Sequence, residues 1–194
     1  PVWAEDDPAG LWKAAEKFER KNGAVYREAT IALPNELTME QNQALVADLV
    51  SKLALGKPYQ FAIHAPKSSL EGELIPHLHL MTSDRVDDGI ERPADRFFAR
   101  HDRINPEKGG RRKSSGGRTR MQMRDELIVT RKLVAETINR HLAINGHEAR
   151  VDHRTLRERG VNRKAERYLG PVKVKNMSTK EKAAYVSARK KGVN

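Results

Sequence analysis

Residues 76–83, Pro-His-Leu-His-Leu-Met-Thr-Ser, alternate so strictly that they leave little choice of conformation. Successive side chains of a β-strand point to opposite faces, so Leu78 and Leu80 face one way while His77, His79 and Met81 face the other. A strand of this kind buries one side and leaves the other polar.

Two further segments match it. Residues 59–65 place Tyr59, Phe61 and Ile63 on an apolar face and Ala62 and His64 opposite. Residues 24–33 place Val25, Ala29, Ile31 and Leu33 on one face, with Tyr26, Glu28, Thr30 and Ala32 on the other. The stretch 66–75 reads as a polar connection, and Asp87-Asp88-Gly89 as a turn.

Helices are read between these strands. Asp7 before Pro8 is an N-cap with proline at the first helical position, and Leu11, Ala15 and Phe18 recur at helical spacing up to Gly23. Thr38 and Gln41 form a capping box ahead of the stripe Leu45, Leu49, Val50 and Leu53, which ends at Gly56-Lys57-Pro58. A short helix is expected near 93–100. A long amphipathic one is expected over 121–144, with Leu127, Val134, Ile138 and Leu142 on one side. The Gly/Ser/Arg-rich segment 105–119 reads as a mobile loop, 149–152 as a short strand followed by a helical turn, and residues beyond 170 show little core-forming pattern.

A length of 194 residues suits one α/β domain with a tail. The absence of cysteine rules out disulfides and thiolate metal sites. No apolar run reaches the roughly 18 residues that span a membrane, and Pro1-Val2-Trp3-Ala4-Glu5 is not a signal peptide, so a cytoplasmic location without membrane association is expected. A start at Pro1 rather than methionine suggests an excised or processed piece. The net charge of +11 is unevenly spread. Residues 100–124 carry nine Lys/Arg against Asp102 and Glu107, and 154–194 carry thirteen against Glu158, Glu166 and Glu181. Two basic segments on an acidic body suggest a polyanionic partner, with a merely solvated basic surface as the competing reading. The candidate phosphate contacts are Arg85 and Arg92 near the turn, and Arg111, Arg112, Lys113, Arg118 and Arg120 in the loop.

His77 and His79 share a face by strand geometry, and His64 occupies the matching side of its own strand. Three neutral imidazoles on one face make a site for a divalent cation, with positions left open for substrate oxygens. Glu28, on the polar face of another strand, is placed to hydrogen-bond a ligand imidazole. A polar, solvent-facing alternation without metal is the competing reading of the same residues. His101 falls in a loop, His141 and His147 flank a helix end, and His153 reads as a structural hydrogen bonder. Tyr26 reads as an exposed strand-edge tyrosine rather than a nucleophile.

The motifs Ala62-Ile63-His64 and Pro76-His77-Leu78-His79-Leu80-Met81 resemble the His-hydrophobe-His signature of HUH endonucleases. The stretches from Ala32 to Thr38, from Asp88 to Pro93 and from Val151 to Leu156 are similar to the MobA/MobL relaxases of mobilizable plasmids, particularly the IncQ type, and the likeness runs from about residue 3 to 170. It implies an α/β (α+β) relaxase fold, a five-stranded antiparallel sheet with helices on one face and a three-histidine cleft on the other. Residues 1–170 would be the relaxase domain and 171–194 a basic tail or linker.

It also implies an activity. A tyrosine attacks a DNA phosphodiester at the origin of transfer, giving a 5′-phosphotyrosyl link and a free 3′-hydroxyl, and the reaction later reverses. His64, His77 and His79 would hold Mg²⁺ or Mn²⁺. The partners implied are single-stranded and duplex origin DNA, accessory mobilization proteins and the coupling protein of a conjugation secretion system. The chain departs from the pattern in two places. Its connection from His64 to His77 is longer than in IncQ-type members. The family's nucleophilic tyrosine precedes the first helix, so it is expected upstream of these residues together with the first strand of the sheet. Without that segment the chain is expected to bind origin DNA but not cut it. The alternatives are a catalytically silent metal- and DNA-binding module and a histidine-based nucleotide phosphoesterase. The latter needs a further histidine soon after the pair, where Met81-Thr82-Ser83 has none.

Overall fold

A computed structural model of the chain describes residues 1–163, 165 and 169–191. A 3₁₀ turn at Val2–Ala4 leads into α1 (Pro8–Phe18), β1 (Arg27–Ala32), α2 (Met39–Leu53), β2 (Tyr59–His64) and β3 (His77–Thr82). The short α3 (Ala94–Phe97), a 3₁₀ turn at Pro106–Lys108, the long α4 (Arg120–Ile144), α5 (Pro171–Asn176) and α6 (Thr179–Lys191) follow. Among these residues no helix is long and apolar enough to cross a membrane.

Local chemistry sets the helix starts. The Asp7 carboxylate accepts from the Ala9 N–H. Thr38 and Gln41 close a reciprocal capping box on α2, and Thr119 and Gln122 close another on α4, each satisfying amide groups that the first turn leaves unpaired.

Among the described residues the sheet has three strands in the order β1-β3-β2, not the five that the resemblance implied. Both outer strands run antiparallel to β3, so they are parallel to each other. The α2 crossover joins them and β3 is inserted between, a split β-α-β unit. The expected strand at 149–152 does not form. The Asn139 side chain of α4 captures both backbone groups of Val151, accepting from its N–H at 2.8 Å and donating to its carbonyl at 2.9 Å, so neither is left for a ladder.

The main core lies on the leucine face of the sheet, where Leu78 and Leu80 meet Leu45, Val46, Leu49 and Val50 of α2 and Ile138 and Leu142 of α4. Only the second half of α4 joins it. Leu127, expected inward, is half exposed, because it borders an open pocket between α4 and β1. Tyr59 and Phe61 also stand exposed, stacked on each other at the β2 edge where no helix covers them. A second core packs Leu11 and Ala15 of α1 against Ala4, Phe97 and Phe98, with Trp3 edge-on to Phe97.

Segment 105–119, expected to be mobile, is pinned in place. Gly110 N–H bonds to Arg100 O and Arg111 N–H to Phe97 O, while Lys113 bridges to Arg85. A Cβ on Gly110 would sit 2.1 Å from Ala99 O, and one on Gly109 2.2 Å from Asp102 N. These two glycines are what let the backbones approach. Beyond residue 170 two largely exposed helices stand where little core pattern was legible.

Candidate metal centre and its surroundings

The register fixes which side chains share a face. Thr30 lies opposite His79 on one side and Ala62 on the other, while Ala32 and His64 flank His77. Directly opposed residues of antiparallel strands point the same way. Glu28, Thr30 and Ala32, His64, and His77, His79 and Met81 therefore form one surface, turned away from α2 and α4.

His64, His77 and His79 converge there. Their ring centroids are 4.9–5.6 Å apart, and one nitrogen from each lies within 4.8 Å of the others. Two of the rings are oriented from behind. His77 Nδ1 lies 2.9 Å from Ile75 O, and His79 Nδ1 lies 2.6 Å from Glu28 Oε1. With Nδ1–H donating to these oxygens, the Nε2 lone pairs of both rings face the open side, the tautomer that a metal ligand requires. The Ile75 carbonyl was not foreseeable, since backbone acceptors leave no mark in sequence.

The donor set fits a cation. Neighbouring ligands on an ion with bonds of about 2.0–2.1 Å stand roughly 3 Å apart, so the rings need only swing inward together. A set made only of imidazole nitrogens suits a first-row transition ion better than Mg²⁺, which prefers oxygen.

Tyr26 is on the same face but at the far end of β1, four residues along from Thr30, or about 13 Å. Its ring packs edge-on against Trp12 of α1, whose indole N–H donates to Gln60 at 2.8 Å. It is a packing residue half open to solvent.

The basic candidates divide sharply. Arg85, Arg92 and Arg111, read as phosphate contacts, are only 2%, 4% and 3% exposed. This corrects the reading from sequence, and the cause is internal demand for their donors. Arg85 forks onto both oxygens of Glu19 and also donates to the carbonyls of Phe98, Ala99 and Arg111. Arg92 clasps Asp88 at 2.7 and 2.8 Å and donates to Gly109 O and Pro106 O. Arg111 pairs with Asp87 at 2.8 Å and lies over the Phe97 ring. Burial opposes the charge on Glu19, but hydrogen bonds from Arg85, Lys113 and the Arg20 N–H outweigh it and hold the carboxyl below its usual range. The Arg92 fork does the same for Asp88.

The remaining candidates are at the surface. Arg112 and Arg120 are exposed, Arg118 is exposed and ion-paired with Glu126, and half-buried Lys113 lies 3.0 Å from Glu19. His101 donates from Nδ1 to Gly110 O, tying it into the loop, and His141 joins Asp48 between α2 and α4. Neither belongs to the metal cluster.

The sequence profile of the MobA/MobL family matches residues 1–180. This chain belongs to the MobA/MobL family. Among its relatives are Mobilization protein A of Escherichia coli, 42% identical over 166 residues, and the 43 kDa relaxation protein of Salmonella typhimurium, 39% identical over 164. Each match covers 84% of this chain but only 22% and 44% of the respective relative, so the chain spans less than half the length of either. A solved structure titled "Molecular Basis of Vancomycin Resistance Transfer in Staphylococcus aureus" is 27% identical, with a TM-score of 0.53 over 77% of this chain and 68% of that one.

Proposed function

We propose that this chain is the DNA-handling domain of a relaxase that nicks and rejoins plasmid origin-of-transfer DNA during conjugative mobilization. The observation that carries the reading is the set of three imidazoles on the open face of the central strand, two of them held with Nε2 outward. The names of its relatives, a mobilization protein and a relaxation protein, agree with it.

On this reading His64, His77 and His79 hold Mn²⁺ or Mg²⁺, with the nitrogen donors favouring the transition ion. Bound there, the ion would withdraw charge from a phosphodiester oxygen. The protein's own residues supply the rest. Glu28 and the Ile75 carbonyl keep two imidazoles in the ligating tautomer, on a sheet face turned away from α2 and α4 across which a single strand would lie. The attacking tyrosine is assigned upstream of these residues on the family resemblance, and neither tyrosine of the sheet is placed to replace it. Tyr26 is about 13 Å along the strand and engaged with Trp12, and Tyr59 faces the other side of the sheet. Tyr168 lies outside the described residues. The expected partners remain origin DNA, single-stranded and duplex, accessory mobilization proteins and a coupling protein.

The test is a labelled single-stranded origin oligonucleotide incubated with Mn²⁺ and run on a denaturing gel. The chain alone should bind the strand without forming a covalent adduct, and a tyrosine-bearing upstream fragment should restore the adduct. His79→Ala should abolish the restored activity. An adduct from this chain alone that is lost in Tyr26→Phe would make Tyr26 the nucleophile. No adduct with any upstream fragment would favour a silent DNA-binding module.

A further inference from the structure

Beyond the end of β3, away from the histidines, lies a pocket of about 530 Å³ between the end of α1, the turn after α3 and the 112–117 loop. Its wall is rich in fixed cations, Arg20, Arg100, Arg103, Arg112 and Lys113, with His101 beside them. Among the described residues no carboxylate lines it. Glu19, between Arg85 and Lys113 of the wall, has its side chain 3% exposed and is engaged by both. Among the described residues Arg20, Arg100, Arg103 and Arg112 make no ion pair, and all four are exposed. Like charges gathered in a concavity repel one another, and the fold has spent buried hydrogen bonds to hold them there. Gly109 and Gly110 bring the chain of Arg112 against that of Arg100 and His101, and Arg85 ties both segments to the end of α1. A concave cluster of unpaired guanidiniums is built for an anion with several oxygens.

We propose that this pocket is a phosphate-anchoring subsite for the backbone of the DNA strand whose scissile phosphate is at the histidine face. The proposal rests on the relaxase reading and adds a position to it. Arg85, on the pocket wall, is six residues along the chain from His79, at most about 20 Å of extended strand. At about 3.4 Å per nucleotide in a B-form strand, that separation corresponds to no more than about six nucleotides, and fewer in a stretched single strand. Phosphate contacts set register without reading sequence. The pocket would therefore fix how far the strand is drawn across the metal site, and so which phosphodiester is presented there.

The experiment uses this chain, fluorescence anisotropy, and two single-stranded oligonucleotides, one long enough to reach from the histidines to the pocket and one too short. The variant is Arg20→Gln/Arg103→Gln/Arg112→Gln, all exposed positions, with the triple lysine replacement as a charge-retaining control and thermal unfolding to confirm the fold. For the long strand the slope of log affinity against log salt should flatten by about 2, roughly 0.7 for each lost phosphate contact. The lysine control should keep the parent slope, and the short strand should bind parent and variant alike. An unchanged slope for the long strand overturns the subsite. So does loss of binding to phosphatidylserine vesicles with no change toward DNA. If the parent binds neither oligonucleotide, the relaxase reading fails and the subsite with it. If the parent binds both and the variant matches it throughout, only the subsite fails.

Discussion

Replacing Arg85 separates its two readings, surface phosphate contact and internal brace. Its side chain and that of Glu19 are each 3% exposed, and its donors reach both Glu19 oxygens and three backbone carbonyls. Arg85→Ala would leave the Glu19 carboxylate with only Lys113 and the Arg20 N–H, and would strip the carbonyls of Phe98, Ala99 and Arg111 of this donor. Breaking one side of a buried pair costs about 3–5 kcal/mol, and a domain has about 5–15 kcal/mol in all. The alanine variant should therefore be marginal, with its urea midpoint far to the left of the parent's. Arg85→Lys keeps the charge but not the planar fork, so it should fall between. In a double-mutant cycle with Glu19→Ala the coupling should be about 1–3 kcal/mol. The same lysine variant, assayed at a temperature where it is folded, should bind DNA with the parent's salt slope. Stability within about 0.5 kcal/mol of the parent, together with a flattened slope, would refute the internal role and return Arg85 to the DNA surface.

Two further outcomes follow from the hydrogen bonds. Glu28→Gln removes the carboxylate behind His79 while preserving shape, and should weaken Mn²⁺ binding by about tenfold or more in calorimetric titration without lowering the melting temperature; equal affinity would leave Glu28 an idle strand residue. Glu19, Asp48, Asp84 and Asp88 are all held below their ordinary pKa values of 4.5 for glutamate and 3.8 for aspartate. Because the folded values are the lower ones, their stabilisation is complete above the unfolded values and is lost as the pH falls from about 4.5 through the folded values. Urea midpoints should thus be flat from neutrality to about pH 5 and drop steadily below it, and a flat profile down to pH 3 would contradict these ion pairs.

The chain's local codes were legible where a short-range pattern decides the outcome. Alternation placed His77 and His79 on one face, the Thr38 and Gln41 pair announced the start of α2, and the spacing of Leu45, Leu49 and Val50 marked its buried side. The shared face of His64 followed once the strands were taken as neighbours, and a resemblance in motif order identified the family. What was not legible depends on groups far apart in sequence. Residues 149–152 have the composition of a strand, but Asn139 takes the Val151 hydrogen bonds. Leu127 fits the helical stripe, but it borders an open pocket beside β1. The arginines are the clearest case. Arg85, Arg92, Arg111 and Arg112 look alike as basic residues, and nothing near Arg85 in sequence announces a carboxylate 66 residues away. Only the tertiary fold, which sets Glu19 and three carbonyls around Arg85, the 106–109 turn around Arg92 and the Phe97 ring under Arg111, turned these three inward and left Arg112 facing solvent with Arg20, Arg100 and Arg103. Sequence sets which groups carry charge; burial, which only the tertiary fold decides, sets whether that charge is consumed inside or offered to a partner.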